Sequence, residues 1–156
     1  MTVQAVTECQ AKGISFEEAF RYQYVISKQE LELPGFATTV VDGHVIQTGK
    51  DLNTCALTDK NGKVIGCFLG IAADHQGRVI TGAPIAELNS NSPDFWTAFV
   101  IWLRHVAGRY AVVVTALGET RYYCDAVGMI GACHNPTNGR IGASVLLCLD
   151  RELRFN

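Results

Sequence analysis

The stretch GRYAVVVTALGETRYYCDAVGMIGAC, residues 108–133, carries the polar side chains with the clearest chemical potential in this chain. Arg109 follows a glycine and precedes an apolar run. A guanidinium in such a place can hold a carboxylate or a phosphate through two parallel hydrogen bonds. The alternative, which we favour, is that Arg109 forms an ion pair with a nearby carboxylate such as Asp125.

Asp125 and Gly128 form a D-x-x-G pattern where the second apolar run ends. An aspartate at this point can accept hydrogen bonds from backbone N–H groups of the following turn. A glycine three residues later can supply a positive φ or allow a close backbone approach. We therefore expect turn chemistry for both residues, with an active-site carboxylate or ligand site as the less favoured alternative.

Two other residues are candidate nucleophiles. Removal of Met1 would expose Thr2, and cleavage after Gly66 would expose Cys67. In either case the new α-amine could act as base to the side chain beside it. However, TVQAVTECQ is polar and predicts a loose leader over residues 1–14, and the apolar flanks of Cys67 predict a buried strand. Thr2 and Cys67 therefore remain candidate nucleophiles for the less favoured alternative, in which the chain is an amide hydrolase.

The cysteines and histidines lack metal-ligand spacing. None of the six cysteines forms C-x-x-C, and the closest pair, Cys124 and Cys133, is separated by eight residues. The four histidines include no pair at i and i+4, and none of the three motifs G-x-S-x-G, G-x-x-x-x-G-K and G-x-G-x-x-G occurs. We predict reduced thiols, no metal and no cofactor.

Composition limits the partners. The 156 residues carry a net charge of -2, with 48% apolar and 18% charged residues, which is typical of a globular domain. There is no basic surplus for nucleic acid and no run of like charges for a membrane surface. Since the sequence also shows no signal peptide, we predict a cytoplasmic protein with neither a nucleic-acid nor a membrane partner.

Two helices are predicted. Ser15 and Glu18 form a capping box that predicts a helix over residues 15–30. The second helix is predicted over residues 92–107, with Ser92 as N-cap and Gly108 as C-cap. Its apolar stripe is broad, as in a helix that packs on a sheet, and is formed by Phe95, Phe99, Trp102 and Val106 with Trp96 beside it.

The rest of the chain reads as short strands rich in β-branched residues. Asn61-Gly62 predicts a hairpin turn between two of them. Because short turns join neighbouring strands, the pattern predicts an α+β fold of two antiparallel sheets with helices outside them. The predicted strands are residues 36–41, 44–48, 54–58, 63–70, 78–82, 110–115, 120–125, 129–134 and 140–149.

The segments AGRYAVVV, RYYCDAVG and GRIGASVLLCL resemble, in their order, the glutaminase domain of class II amidotransferases of the asparagine synthetase type. The resemblance covers residues 107–149 and implies the N-terminal nucleophile hydrolase fold, a four-layer αββα sandwich. It also implies that the family's D-x-x-G motif corresponds to Asp125 and Gly128. The family's nucleophile is an N-terminal cysteine, whereas this chain begins Met1-Thr2-Val3.

These observations lead to one favoured function and two alternatives. The favoured one is a catalytically silent amidotransferase-like domain over residues 1–156, either alone or as the N-terminal part of a longer protein. It would serve as scaffold or partner module of a synthetase-type biosynthetic enzyme, with a synthetase domain or subunit, or a second copy, as partner. The alternatives are an amide hydrolase that uses Thr2 or Cys67, and a small-ligand binder that uses the remnant glutamine pocket with Arg109 as anion clamp.

Overall fold

The computed structural model describes residues 3–82, 84–85 and 87–150. The chain divides into two compact units, Met1–Leu52 with Gly131–Asn156, and Asn53–Ile130. We call them unit 1 and unit 2. The sequence predicts a single domain over residues 1–156. Each of these units has its own sheet, and the described helices are α1, α2 and α4 in unit 1 and α3 in unit 2.

The elements alternate short helices with antiparallel strands. In chain order they are α1 (Gln4–Lys12), α2 (Phe16–Ala19), β1 (Tyr24–Ser27), β2 (Ala37–Val41), β3 (His44–Thr48), β4 (Thr54–Thr58), β5 (Val64–Ala73), α3 (Phe95–Leu103), β6 (Ala107–Ala116), β7 (Glu119–Cys124), β8 (Cys133–Asn135), β9 (Arg140–Gly142) and α4 (Val145–Cys148). Two antiparallel sheets result, which confirms the predicted α+β class. No helix of the described residues has the length and apolar character needed to cross a membrane.

Unit 1 contains the five-stranded sheet, in the order β2-β3-β1-β9-β8. Its helices contribute to one apolar cluster with the sheet residue Val25, in which Val6, Phe16 and Leu147 are buried. Residues 4–12, which the sequence predicts as part of a loose leader, form α1. Val6 and Cys9 lie three positions apart among mostly polar neighbours, which is too short a pattern to predict an amphipathic helix. Both side chains are nevertheless buried in the fold.

The predicted helix over residues 15–30 is wrong beyond Ala19. Ser15 does cap α2, and its hydroxyl accepts a hydrogen bond from the backbone N–H of Glu18. The helix then ends after one turn, and Tyr24–Ser27 forms β1 between β3 and β9. All four β1 residues are buried, so burial and ladder hydrogen bonds outweigh the helical signal of the preceding turn.

Unit 2 contains the four-stranded sheet, in the order β4-β5-β6-β7. The predicted Asn61-Gly62 hairpin is confirmed, since β4 pairs with β5 on either side of that turn and Gly62 has a φ of 77°. Residues 78–82, predicted as a strand, are not one. They contribute only an isolated bridge between Val79 and Ala73, the last residue of β5.

Helix α3 packs on one face of the unit 2 sheet, as its broad stripe predicts. Phe99 is fully buried against this sheet, and the Trp102 ring lies edge-on to Phe68 with 6.0 Å between ring centroids. The helix begins at Phe95 and ends at Leu103, so neither predicted cap, Ser92 or Gly108, is correct. Gly108 lies in β6.

Gly108 is a close-approach glycine of the sheet. A Cβ at this position would lie 2.2 Å from the backbone oxygen of Ile71 on the neighbouring strand. The φ of Gly108 is 144°. A side chain cannot fit at that distance, so only glycine allows β5 and β6 to pair here.

Two predicted strands near the end of the chain are only partly correct. The strand predicted over residues 129–134 begins at Cys133. The strand predicted over residues 140–149 is β9 followed by α4, because the Ser144 hydroxyl accepts a hydrogen bond from the Leu146 N–H and starts a helical turn.

We predict that Phe99→Ala lowers the free energy of unfolding by about 3–5 kcal/mol, because the ring is fully buried and its removal leaves a cavity. Urea unfolding followed by fluorescence measures the change. Ile101→Ala on the same helix is the control, since Ile101 is 53% exposed and should cost less than about 1 kcal/mol. Equal losses in the two variants would contradict the packing of α3.

Candidate functional site

Asp125 follows β7 and is almost fully buried, and its carboxylate faces backbone N–H groups. Its carboxylate accepts hydrogen bonds from the N–H groups of Val127 at 3.0 Å, Met129 at 3.1 Å and Tyr110 at 3.3 Å. Burial by itself would raise the pKa of Asp125, but these backbone donors outweigh burial and hold the pKa below its ordinary value. Gly128 has a φ of 63°, which confirms the predicted turn chemistry of both residues.

The same turn occurs three times in unit 2, at DKNG, DHQG and DAVG. Asp59 accepts hydrogen bonds from the N–H groups two and four residues ahead, at 2.9 and 3.0 Å. Asp74 does the same at 2.9 and 3.0 Å. The glycines that end these turns also have positive φ. D-x-x-G is therefore a recurrent turn device of this chain, and its presence alone does not mark a reactive centre.

Arg109 is exposed on β6, opposite Ile71 of β5. Among the described residues, no ion pair or hydrogen bond joins its side chain to Asp125, so the favoured ion pair is not formed. The reason is that the Asp125 oxygens are occupied by backbone donors. The structure thus brings Asp125 and Gly128 together in one turn and leaves the Arg109 side chain apart from them.

Cys67 lies in the middle of β5, between Ala56 of β4 and Val113 of β6. Its side chain is 2% exposed, and burial raises the pKa of its thiol to about 12. The thiolate is the reactive form of cysteine, so at neutral pH this sulfur is a poor nucleophile. The preceding Gly66 is also enclosed, since a Cβ there would lie 2.1 Å from the Val113 oxygen. The other candidate, Thr2, lies outside the described residues.

A groove of about 380 Å³ in unit 2 is large enough for a small molecule. The turn after β5, the segment that follows it and the end of α3 form its walls. Backbone hydrogen bonds fix the segment, from Ile80 N–H to the Ala72 oxygen at 2.8 Å and from Ile85 N–H to the Thr58 oxygen at 3.1 Å. The lining combines apolar and polar side chains and includes Ile80, Ile85, Trp102, His75, Arg78 and Glu87.

Charged side chains form part of the groove lining. Arg78 donates from Nε to Asp74 at 2.8 Å, and its Nη2 lies 2.7 Å from the same carboxylate. Burial would raise the pKa of Asp74, but the Arg78 side chain and backbone donors lower it below its ordinary value. His75 lies edge-on to His105, with ring centroids 6.2 Å apart. Glu87 forms no ion pair within the part of the chain that is described.

No pattern in the sequence relates the residues that line this groove. DHQG reads as a solvated turn, and Trp102 reads as part of the helix stripe. The lining residues lie up to about thirty positions apart, so only folding brings them together. The described residues contain no group of three or more His, Cys, Asp or Glu side chains that could hold a metal ion.

We predict that Asp125→Asn weakens the acid dependence of stability. A lowered pKa in the folded state stabilises the protein above the unfolded-state value of about 3.9, and this contribution is lost as pH falls through the lower folded-state pKa. The free energy of unfolding of the unaltered chain should therefore fall more steeply below about pH 4 than that of the variant.

Asp94→Asn is the matched control, because the Asp94 side chain is exposed and makes no capping hydrogen bond. Urea unfolding at a series of acidic pH values measures all three proteins. Identical slopes for the unaltered chain and Asp125→Asn would show that the backbone donors do not stabilise the charged carboxylate.

The chain was compared with models of known protein families, with curated proteins and with solved structures. None of the three comparisons returned a match. Support for a function therefore comes from the buried Cys67 thiol, the Asp125 turn and the groove beside Trp102.

Proposed function

We propose that this chain is a catalytically silent amidotransferase-like domain, a scaffold or partner module of a synthetase-type biosynthetic enzyme in the cytoplasm. The observation that carries this proposal is the state of Cys67. Acyl transfer by a thiol needs an accessible thiolate and a base beside it. Cys67 is enclosed in a central strand, and burial raises its thiol pKa to about 12.

The turn at Asp125 supports the same proposal. In the resembled family the D-x-x-G motif belongs to the scaffold, and here the Asp125 oxygens are occupied by backbone donors from three residues. A carboxylate used in this way stabilises the turn and has little capacity left to orient a substrate. The retained part of the resemblance is thus structural, and the partner would be a synthetase domain or subunit, or a second copy of this chain.

A four-layer αββα arrangement is part of the proposal. In unit 1, Val25 faces the cluster that contains the helices, while its neighbours Tyr24 and Ile26 are buried on the other face of the sheet. In unit 2, Phe68 faces α3, while Cys67 and Leu69 are buried on the other face. A sheet with helices on one face and a second buried face is what a central layer requires.

The first test is an ammonia assay with glutamine and, separately, asparagine. We expect no release of ammonia above the rate without protein, because the buried thiol cannot attack the amide. Thr2→Ala and Cys67→Ala are tested beside Cys124→Ala, whose side chain is exposed on β7. Turnover that disappears in Thr2→Ala or Cys67→Ala, but not in Cys124→Ala, would overturn the proposal and favour the hydrolase.

A second candidate function, small-ligand binding, is favoured by the groove. An apolar wall that contains Trp102, beside the Arg78–Asp74 pair and the Glu87 carboxylate, suits a small organic molecule with an apolar body and polar substituents. This place differs from the site that the sequence suggests, because the groove is not lined by Arg109.

Thermal unfolding with a panel of amino acids, amines and aromatic carboxylic acids tests the binder. A ligand present at about 100 times its Kd should stabilise the folded chain by about 2.7 kcal/mol. The shift should vanish in Trp102→Leu and persist in Arg109→Ala. Loss in Arg109→Ala alone would favour the anion clamp instead, and a panel without any shift would contradict ligand binding.

A further inference from the structure

Cys133 and Cys148 lie side by side in unit 1, although fifteen positions separate them in the chain. Cys133 begins β8 and is half-buried, while Cys148 ends α4 and is 2% exposed. The Cys148 thiol donates a hydrogen bond to the Cys133 carbonyl oxygen at 3.4 Å. Both cysteines are free thiols in this structure.

Gly142 makes this proximity possible. It lies directly opposite Cys133 in the antiparallel pair of β8 and β9. A Cβ on Gly142 would lie 2.9 Å from the Cys148 Sγ, so the sulfur occupies the space of the missing side chain. Opposed Cβ positions of an antiparallel pair project from the same face, roughly 4.5–5.5 Å apart. The Cys133 side chain therefore stands beside the Cys148 sulfur on one face of the ladder.

The two thiols differ in access to solvent. Cys133 is the accessible one. Burial, with a smaller contribution from the neighbouring Cys133, raises the pKa of the Cys148 thiol to about 11, although the guanidinium of Arg140 acts in the opposite direction. Redox-sensing cysteines typically pair an accessible attacking thiol with a resolving thiol next to it.

We propose that Cys133 and Cys148 form a redox-active dithiol that takes a low-molecular-weight disulfide, such as oxidised glutathione, as its substrate. This site is separate from the proposed silent domain function and does not depend on it. In a reducing compartment such a bond forms transiently and reports on redox state.

The reaction consists of two thiol–disulfide exchanges. The Cys133 thiolate attacks one sulfur of the small disulfide, whose S–S bond breaks, and the departing thiolate takes up the proton that Cys133 lost. Cys148, whose sulfur lies beside Cys133, then attacks the Cys133 sulfur of the mixed disulfide, and the Cys133–glutathione S–S bond breaks. The second small thiolate leaves and takes up the proton that Cys148 lost, so the buried thiol reacts only with the sulfur next to it. Two protein thiols are oxidised, and one small disulfide is reduced to two thiols.

Three further cysteines, Cys55, Cys67 and Cys124, lack this arrangement. Cys55 and Cys67 lie on neighbouring strands, but Cys55 is paired with Phe68 and Cys67 with Ala56. Successive strand residues point to opposite faces, so the side chains of Cys55 and Cys67 stand on different sides of the sheet. Cys124 is exposed on β7 opposite Ala111. We expect Cys124 to form a mixed disulfide with glutathione and no intrachain disulfide.

The test uses the full chain, reduced and then incubated with oxidised glutathione, with free thiols alkylated before peptide mapping. We expect an intrachain cross-link between Cys133 and Cys148, with the loss of those two free thiols and of two hydrogen atoms in the mass of the two cross-linked peptides. A stable glutathione adduct on Cys133 with Cys148 still free would overturn the proposal. A cross-link that involves any other cysteine, or no reaction at Cys133, would overturn it as well.

Two variants serve as controls. Cys148→Ala removes the resolving thiol, so a glutathione adduct on Cys133 should accumulate and persist. Cys124→Ser removes an exposed thiol of the other unit and should leave the cross-link unchanged. If Cys148→Ala does not fold, the peptide map of the unaltered chain still decides the outcome.

Discussion

The fold of unit 2 depends on hydrogen bonds that backbone N–H groups donate to buried carboxylates. Asp59 and Asp125 are at most 4% exposed and form no ion pair among the described residues. An ionised carboxylate without compensation would cost several kcal/mol in such surroundings. Backbone donors supply that compensation, joined at Asp59 by the Ser90 hydroxyl at 2.8 Å, and each of these turns ends with a glycine at positive φ.

This constraint also decides which residues are left for function. Asp125 and Gly128, the residues that carry the resemblance to a glutaminase domain, are used by the turn itself. The Asp74 turn has the opposite effect, because it presents Arg78 and His75 toward the groove beside Trp102. The same local structure therefore serves as scaffold at one end of a strand and as the rim of a candidate binding site at another.

In each unit a glycine allows a close approach of neighbouring atoms because it has no Cβ. Gly108 allows β6 to approach the Ile71 carbonyl of β5, so the strand already begins at Ala107, which the sequence predicts as the end of a helix. Gly142 leaves room for the Cys148 sulfur next to Cys133. In the first case the missing side chain permits strand pairing. In the second it brings together two thiols that the sequence does not relate.

The sequence by itself determined the features that depend on neighbouring residues. The Asn61-Gly62 hairpin, the Asp125 turn, the Ser15 cap and the broad stripe of α3 follow from local φ preferences, short-range hydrogen bonds and periodicity, and all are present. Tertiary structure decided the rest. Residues 24–27 became a strand because β3 and β9 pair with them, and the Cys67 pKa, the groove beside Trp102 and the Cys133–Cys148 pair depend on distant parts of the chain. Burial and long-range contact have no local signature, so sequence patterns could not reveal them.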